Sequence, residues 1–231
     1  MQPYFFPYLG YWQLLNYVDR FVVYDDVNYI KGGWVNRNRI LINGDPRYLT
    51  VPVIGASQNK MICDLEMDTS APWRRKMLKS IEGAYCKSPS FDEVYPVLYE
   101  VISYDCGHLA TFLENQLGAI SKLLGITTEL RVASCCYEKA GHAGEERIVD
   151  ICLAEGATTY INPEGGMHLY HYKSFYGAGV SLQFLKMNSI SYEQNSKEFQ
   201  PNLSIIDLLM SLGSVGVQHL LENFTLIVTA D

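Results

Sequence analysis

Long apolar runs are missing from this sequence. The longest, such as Leu203 to Met210, are interrupted by Asp207 and fall well short of the ~20 residues needed to cross a bilayer. No basic-then-apolar signal pattern opens the chain, so a cytoplasmic protein without membrane insertion is expected. Blocks of like charge are absent too. With a net charge of −7 and no basic stripe, nucleic acid is not an expected partner. Cysteine is present but unpatterned. Cys63, Cys86, Cys106, Cys135, Cys136 and Cys152 include no C-x-x-C pair and read as small reduced residues. Adjacent Cys135 and Cys136 would point to opposite sides of a strand. His168 and His171 stand three apart with no third ligand nearby, so no metal site is expected. The G-x-S-x-G, G-x-G-x-x-G and P-loop patterns do not occur, which leaves the cofactor unnamed.

What is there is a globular composition. Of 231 residues, 48% are hydrophobic and 19% charged, enough for a core that needs no disulfide or zinc. Tyrosine is abundant: 17, against nine Phe and three Trp. Rings with a polar tip suit sugar faces and wet clefts, and they suit ordinary half-buried sheet positions as well.

The chain opens on Met1-Gln2-Pro3-Tyr4-Phe5-Phe6-Pro7-Tyr8-Leu9-Gly10, whose two prolines predict a rigid, ring-bearing loop. A short helix is expected over Gly10 to Val18 and a buried strand over Arg20 to Tyr24, closed by Asp25-Asp26. Acids at the carboxyl end of a strand occupy a common site position in α/β sheets. Next, Asn36, Asn38 and Ile40 share one face of an extended segment and Arg37 and Arg39 the other. The turn Asn43-Gly44-Asp45-Pro46 returns into a strand over Arg47 to Val53, giving a β-hairpin. Residues 72–124 change to helical period, with Trp73, Met77 and Ile81 on one face. A later stripe runs through Leu109, Phe112, Leu113, Leu117, Ile120 and Leu124, with Asp105 as the expected cap and Gly125 as the stop. Beyond residue 127, a strand Glu129–Cys135, a helix Glu145–Glu155 and a strand Thr158–Ile161 read as a βαβ unit with a parallel pair. A strand Val180–Leu185, a helix from Asn202 or Ser204 to Gly213, a short helix from Ser214 and a strand Thr225–Thr229 follow. The expected fold is therefore one α/β domain over 1–231. It has a mainly parallel, Rossmann-like central sheet, a β-hairpin and a helical insertion at about 72–124.

Three constellations could carry chemistry. Lys31, Arg37 and Arg39 lie beside Asn36 and Asn38 and close after Asp25 and Asp26. Guanidinium forks of this kind match phosphate or carboxylate oxygens, although a solvated hairpin with Asp–Arg pairs explains the same residues. Asn162-Pro163-Glu164-Gly165-Gly166 ends a strand, where a double glycine can offer backbone N–H groups to an anion or form an ordinary turn. In the tail, Gln194, Ser204 and Asp207 stand near a helix start, where Ser204 can also serve as a simple cap.

Met-Gln-Pro-Tyr-Phe-Phe-Pro-Tyr-Leu-Gly-Tyr at 1–11, Tyr-Asp-Asp-Val-Asn-Tyr at 24–29 and Lys-Gly-Gly-Trp-Val-Asn-Arg-Asn-Arg-Ile at 31–40 form a distinctive set. Thr-Tyr-Ile-Asn at 159–162 and Phe-Gln-Pro-Asn-Leu-Ser-Ile-Ile-Asp-Leu-Leu at 199–209 extend it. Together they resemble the WbqC-like family, over nearly the whole chain. The resemblance implies a place in surface-polysaccharide (O-antigen, lipopolysaccharide) or modified-sugar biosynthesis, more than it implies a reaction. Relatives carry a few apolar residues before the Gln-Pro motif that read as a first strand. Here Met1 stands directly on the motif: either the start is placed late, or the strand is absent and the sheet loses a strand beside Phe21 to Tyr24.

From these residues a small transferase acting on a nucleotide-linked or carrier-linked substrate is expected, by acyl, aminoacyl or nucleotidyl transfer. Asp26 is the candidate base, Asp25 its orienting partner and Asp207 a further catalytic carboxylate. Lys31, Arg37 and Arg39 would hold an anion, and Asn36, Asn38, Asn162, Gln194 and Ser204 would bind polar groups. Tyr4, Phe6 and Trp34 would stack. The alternative is a non-catalytic ligand-binding or assembly protein of the same pathway. Convergence of Asp25, Asp26, Arg37 and Asp207 in one cleft separates the two. The oligomeric state stays open.

Overall fold

The computed structural model describes residues 1–138 and 141–228. Pro7 holds the chain extended until helix α1 (Leu9–Tyr17) begins, and the first seven residues of that helix are buried. Val18 leaves helical geometry and the chain enters strand β1 (Arg20–Val23). Strands β2 (Arg37–Ile42) and β3 (Asp45–Thr50) form the expected hairpin, with Ile42 facing Asp45. Its two turn residues, Asn43 and Gly44, sit at φ 54° and 83°, the positive values that a two-residue hairpin turn demands. Alternation buries Asn38 and Ile40 and leaves Arg37 and Arg39 on the opposite face, as expected.

The helical block is α2 (Trp73–Tyr85), α3 (Phe91–Ser103) and α4 (Leu109–Leu123), and it buries the predicted apolar stripes. Asp105 does not cap α4. The capping position is His108, which makes no side-chain cap bond. The strand expected through Cys135 ends early: β4 (Glu129–Val132) gives way to a helical turn, α5 (Ala133–Cys136), which carries both adjacent cysteines. Helix α6 (Gly144–Ala154), strand β5 (Thr159–Pro163), helix α7 (Tyr172–Gly177) and strand β6 (Ser181–Met187) follow. Helix α8 (Ile205–Gln218) breaks at Gly213, φ 70°, where a Cβ would lie 2.9 Å from the Glu93 carboxylate. Strand β7 (Phe224–Val228) ends the described chain, and Thr229 lies outside it.

The strands do not form one central sheet. β1 pairs with β4 in parallel, β2 with β3 antiparallel, and β5–β6–β7 makes a third sheet with β5 and β6 parallel and β7 antiparallel. The expected parallel pair of β4 and β5 is therefore corrected: each has another partner. A groove lined by residues of both β1 and β5 lies between these two strands, and Met1 reaches into it. Helix α1 contributes Leu14 to this groove, Val18 just beyond the helix joins it, and α6 contributes Ile148 and Cys152. The larger core cluster joins α1, the hairpin, the helical block and α8, and a smaller one lies around Phe175, Leu182 and Phe184. Among the described residues, no helix is long and apolar enough to cross a membrane.

Candidate functional site

A cleft of about 780 Å³ opens where β5 and β6 end and where α1 and α8 begin. The carboxyl ends of parallel strands are where open α/β sheets place ligands. Tyr4, Tyr8 and Gly10 form one wall, Trp34, Asn38 and Arg39 from the hairpin a second, and Glu164 a third. The fourth is a stretch without helix or strand between β6 and α8, which brings in Tyr192, Phe199 and Asn202.

Each wall has a local cause. Gly10 lets the Tyr8 ring fold over the helix start, since a Cβ there would meet that ring at 2.6 Å. The Asn38 amide donates to the carbonyls of Phe5 (3.1 Å) and Phe6 (2.8 Å), which fixes the aromatic loop to the hairpin. Ser204 caps α8, accepting from the Ile206 N–H at 3.3 Å, and its own N–H reaches the Arg39 carbonyl at 2.9 Å. Asp207 is buried. It accepts from the Tyr85 hydroxyl at 2.6 Å, the Tyr192 hydroxyl at 2.7 Å and the Gln194 amide at 3.4 Å. Gln194 and Gln200 bond each other reciprocally, at 3.0 and 2.8 Å, bracing the fourth wall.

Burial pushes the Tyr4 and Tyr8 phenols above their ordinary range, and burial followed by the Asp207 charge does the same to Tyr192. The ring hydroxyls therefore stay protonated and can donate. Arg39 is the cation of the cleft wall. Its guanidinium lies 5.6 Å from the Trp34 ring centre, has no ion pair among the described residues, and has a buried Nε without a hydrogen-bond partner. Glu164 is the wall's carboxylate and stands 3.7 Å from Lys186.

Of the residues expected to bind, Tyr4, Trp34, Asn38 and Arg39 line this cleft, and Gln194 and Ser204 hold its walls. Phe6 is fully buried against Phe5, at a φ of 39°, so it builds the core rather than a stacking platform. Asn36 is buried between the Tyr29 hydroxyl (2.7 Å) and the Val51 carbonyl (2.8 Å). Arg37 turns away to the Gly32 and Gly33 carbonyls and covers the Tyr48 ring at 4.4 Å. Lys31 is exposed outside the cleft wall, and Asn162 packs on Gly166 and faces the groove beside β5.

The four groups whose convergence was to test catalysis do not meet. Asp25 accepts from the Ser134 N–H (2.9 Å) and hydroxyl (2.6 Å). Asp26 pairs with Arg147 at 3.2 Å, both nearly sealed from solvent. Asp207 holds two tyrosines, and Arg37 holds a loop. Sequence reasoning passed over Tyr8, and no local pattern marks Arg147 or Tyr85, whose partners lie 121 and 122 residues away.

The arrangement defines a mixed α/β protein with an aromatic, amide-lined cleft at strand ends. The chain belongs to the WbqC-like protein family, whose model matches residues 2–219. It is also similar to a Mycobacterium tuberculosis protein bearing the name "Uncharacterized protein Rv1507c", with 28% identity over 223 residues, 95% of each chain. No solved structure matches it significantly.

Proposed function

We propose that the cleft binds a nucleotide-linked or carrier-linked sugar and that the protein is a small transferase of surface-polysaccharide or modified-sugar biosynthesis. The observation that carries this reading is Arg39, a cation without a counter-ion among the described residues, in a wall of rings and amides. Arginine forks suit phosphate and carboxylate, and rings with polar tips suit sugar faces. The base expected of Asp26 passes to Glu164, the carboxylate in the wall, which would take a proton from an acceptor hydroxyl or amine as that oxygen or nitrogen bonds to the acyl or nucleotidyl group and the carrier thiol or pyrophosphate leaves. A binding protein without catalysis is the second reading, favoured by Asp25, Asp26 and Asp207 being committed to internal partners.

A screen of sugar nucleotides and acyl thioesters by native mass spectrometry, followed by calorimetry, tests both. In the transferase, Glu164→Gln keeps binding and loses turnover. Binding with no turnover by the wild type supports the second reading. Failure of every anionic sugar to bind sinks both.

A further inference from the structure

Four side chains form one row on the outer face of the β-hairpin. Arg39 and Tyr48 are cross-strand partners, and Arg37 shares the face of Arg39. The Arg39 guanidinium lies 5.6 Å from the Trp34 ring centre, and the Trp34 and Tyr48 ring centres are 6.3 Å apart. The Arg37 guanidinium stands 4.4 Å from the Tyr48 ring centre. The order is therefore cation, ring, ring, cation. Both ring residues stay open to solvent, Trp34 at 39% and Tyr48 at 49%. Neither guanidinium has an ion pair among the described residues, in a chain whose net charge is −7.

Trp34 and Arg39 line the cleft, and Tyr48 does not. The row thus starts in the cleft wall and runs out of it. Its two cations differ. Arg37 is committed to the Gly32 and Gly33 carbonyls and backs the Tyr48 ring. Arg39 keeps a buried Nε without a hydrogen-bond partner among the described residues, so the inner cation is the one left for an anion. We propose that this row is a nucleoside diphosphate subsite. The diphosphate lies on Arg39, the base stacks on Trp34 and Tyr48 outside the cleft, and the group carried by the diphosphate points inward, resting on the reading of the cleft as the seat of that group.

The chemistry selects this occupant. A free sugar would cover the rings and leave Arg39 without an anion. A free phosphate would satisfy Arg39 and leave the rings bare. One ligand that offers a flat π-face and an anion side by side, in the order of the row, is a nucleotide. Stacking on aromatic rings accepts any base, and a guanidinium beside the ring adds a cation–π term. Two rings hold one base rather than a strand, and the net negative charge opposes a polyanion. The direction follows from Glu164 on another wall of the cleft, which repels phosphate and keeps the charged part at the Arg39 side. Nucleotide sugars and coenzyme A thioesters share the nucleoside diphosphate, so both sources enter the test.

Calorimetry with UDP, ADP, UDP-N-acetylglucosamine, acetyl-coenzyme A and N-acetylglucosamine 1-phosphate tests the subsite. At least one nucleoside diphosphate compound should bind more tightly than the sugar phosphate. Tyr48→Ala should weaken that compound by about 5–100-fold and spare the sugar phosphate. Tyr48→Phe keeps the ring and should restore the affinity, which separates stacking from damage to the hairpin. The source is UDP-N-acetylglucosamine or acetyl-coenzyme A, whichever gains over its bare diphosphate. Sugar phosphate binding as tight as that of the nucleotides overturns the subsite and leaves the cleft reading standing. So does equal weakening of every probe by Tyr48→Ala. UDP or ADP binding that depends on Tyr48, with no gain from an attached sugar or acyl group, keeps the subsite and overturns the cleft reading. No binding by any probe overturns both.

Discussion

The Ser204 hydroxyl donates to the Phe6 carbonyl at 2.8 Å, across 198 residues of chain, and the Asn38 amide donates to the same carbonyl. One carbonyl thus ties the aromatic start, the hairpin and the α8 cap together. Ser204→Ala removes the cap and one of those bonds and should cost about 1–2 kcal/mol. Asn38→Ala should cost more, because it strips buried carbonyls of Phe5 and Phe6 as well. Urea midpoints of the two variants check the order.

Arg39 and Arg37 should separate ligand binding from loop support. Arg39→Gln is expected to weaken an anionic sugar ligand by about 1–3 kcal/mol and to leave the melting temperature nearly unchanged. Arg37→Lys loses the fork that holds the Gly32 and Gly33 carbonyls, so it should lower stability and spare binding. Calorimetry and melting curves on both proteins distinguish this from a shared anion clamp.

The Asp26–Arg147 pair is buried, so removing one partner strands a charge. Arg147→Met should cost about 3–5 kcal/mol. Adding Asp26→Asn should recover part of that loss. A double-mutant cycle in urea gives the coupling, and independent, additive losses would argue against the pair.

Asp207 gives a pH signature. Burial raises its pKa above the ordinary aspartate value, against the hydrogen bonds from Tyr85, Tyr192 and Gln194 that lower it. A carboxyl whose folded pKa is raised contributes stability that is full below its unfolded pKa and lost as pH rises through the folded value. Asp207→Asn cannot titrate and leaves one tyrosine hydroxyl short of an acceptor. The variant should therefore be less stable than the wild type, by a larger margin near pH 4 than at pH 7. Denaturation at the two pH values reads the margin.

Local structure was legible where one period dominates. The alternation of Asn36 to Ile40 gave the hairpin faces, and the 109–124 stripe gave α4. Strand pairing was not legible, because β4 and β5 are both short runs of mixed polarity and nothing in either names its neighbour. The cleft was half legible. Trp34, Asn38 and Arg39 were visible as a polar-aromatic patch, but a carboxylate's role depends on what reaches it. Ser134, Arg147 and Tyr85 reach Asp25, Asp26 and Asp207 from more than 100 residues away. Arg37 and Arg39 share a strand face, and only the folded loop at Gly32 and Gly33 tells them apart.

The closure between Phe6 and Ser204 also has a place in time. Phe5 and Phe6 leave the ribosome nearly 200 positions before the residues that cap and cover their loop. At roughly 5–20 residues per second, that interval is on the order of 10–40 s. Through it the nascent chain carries an unsealed cluster of aromatic rings. A chaperone that recognises exposed rings would have that interval in which to bind this cluster, and a stall anywhere between it and α8 would leave it open.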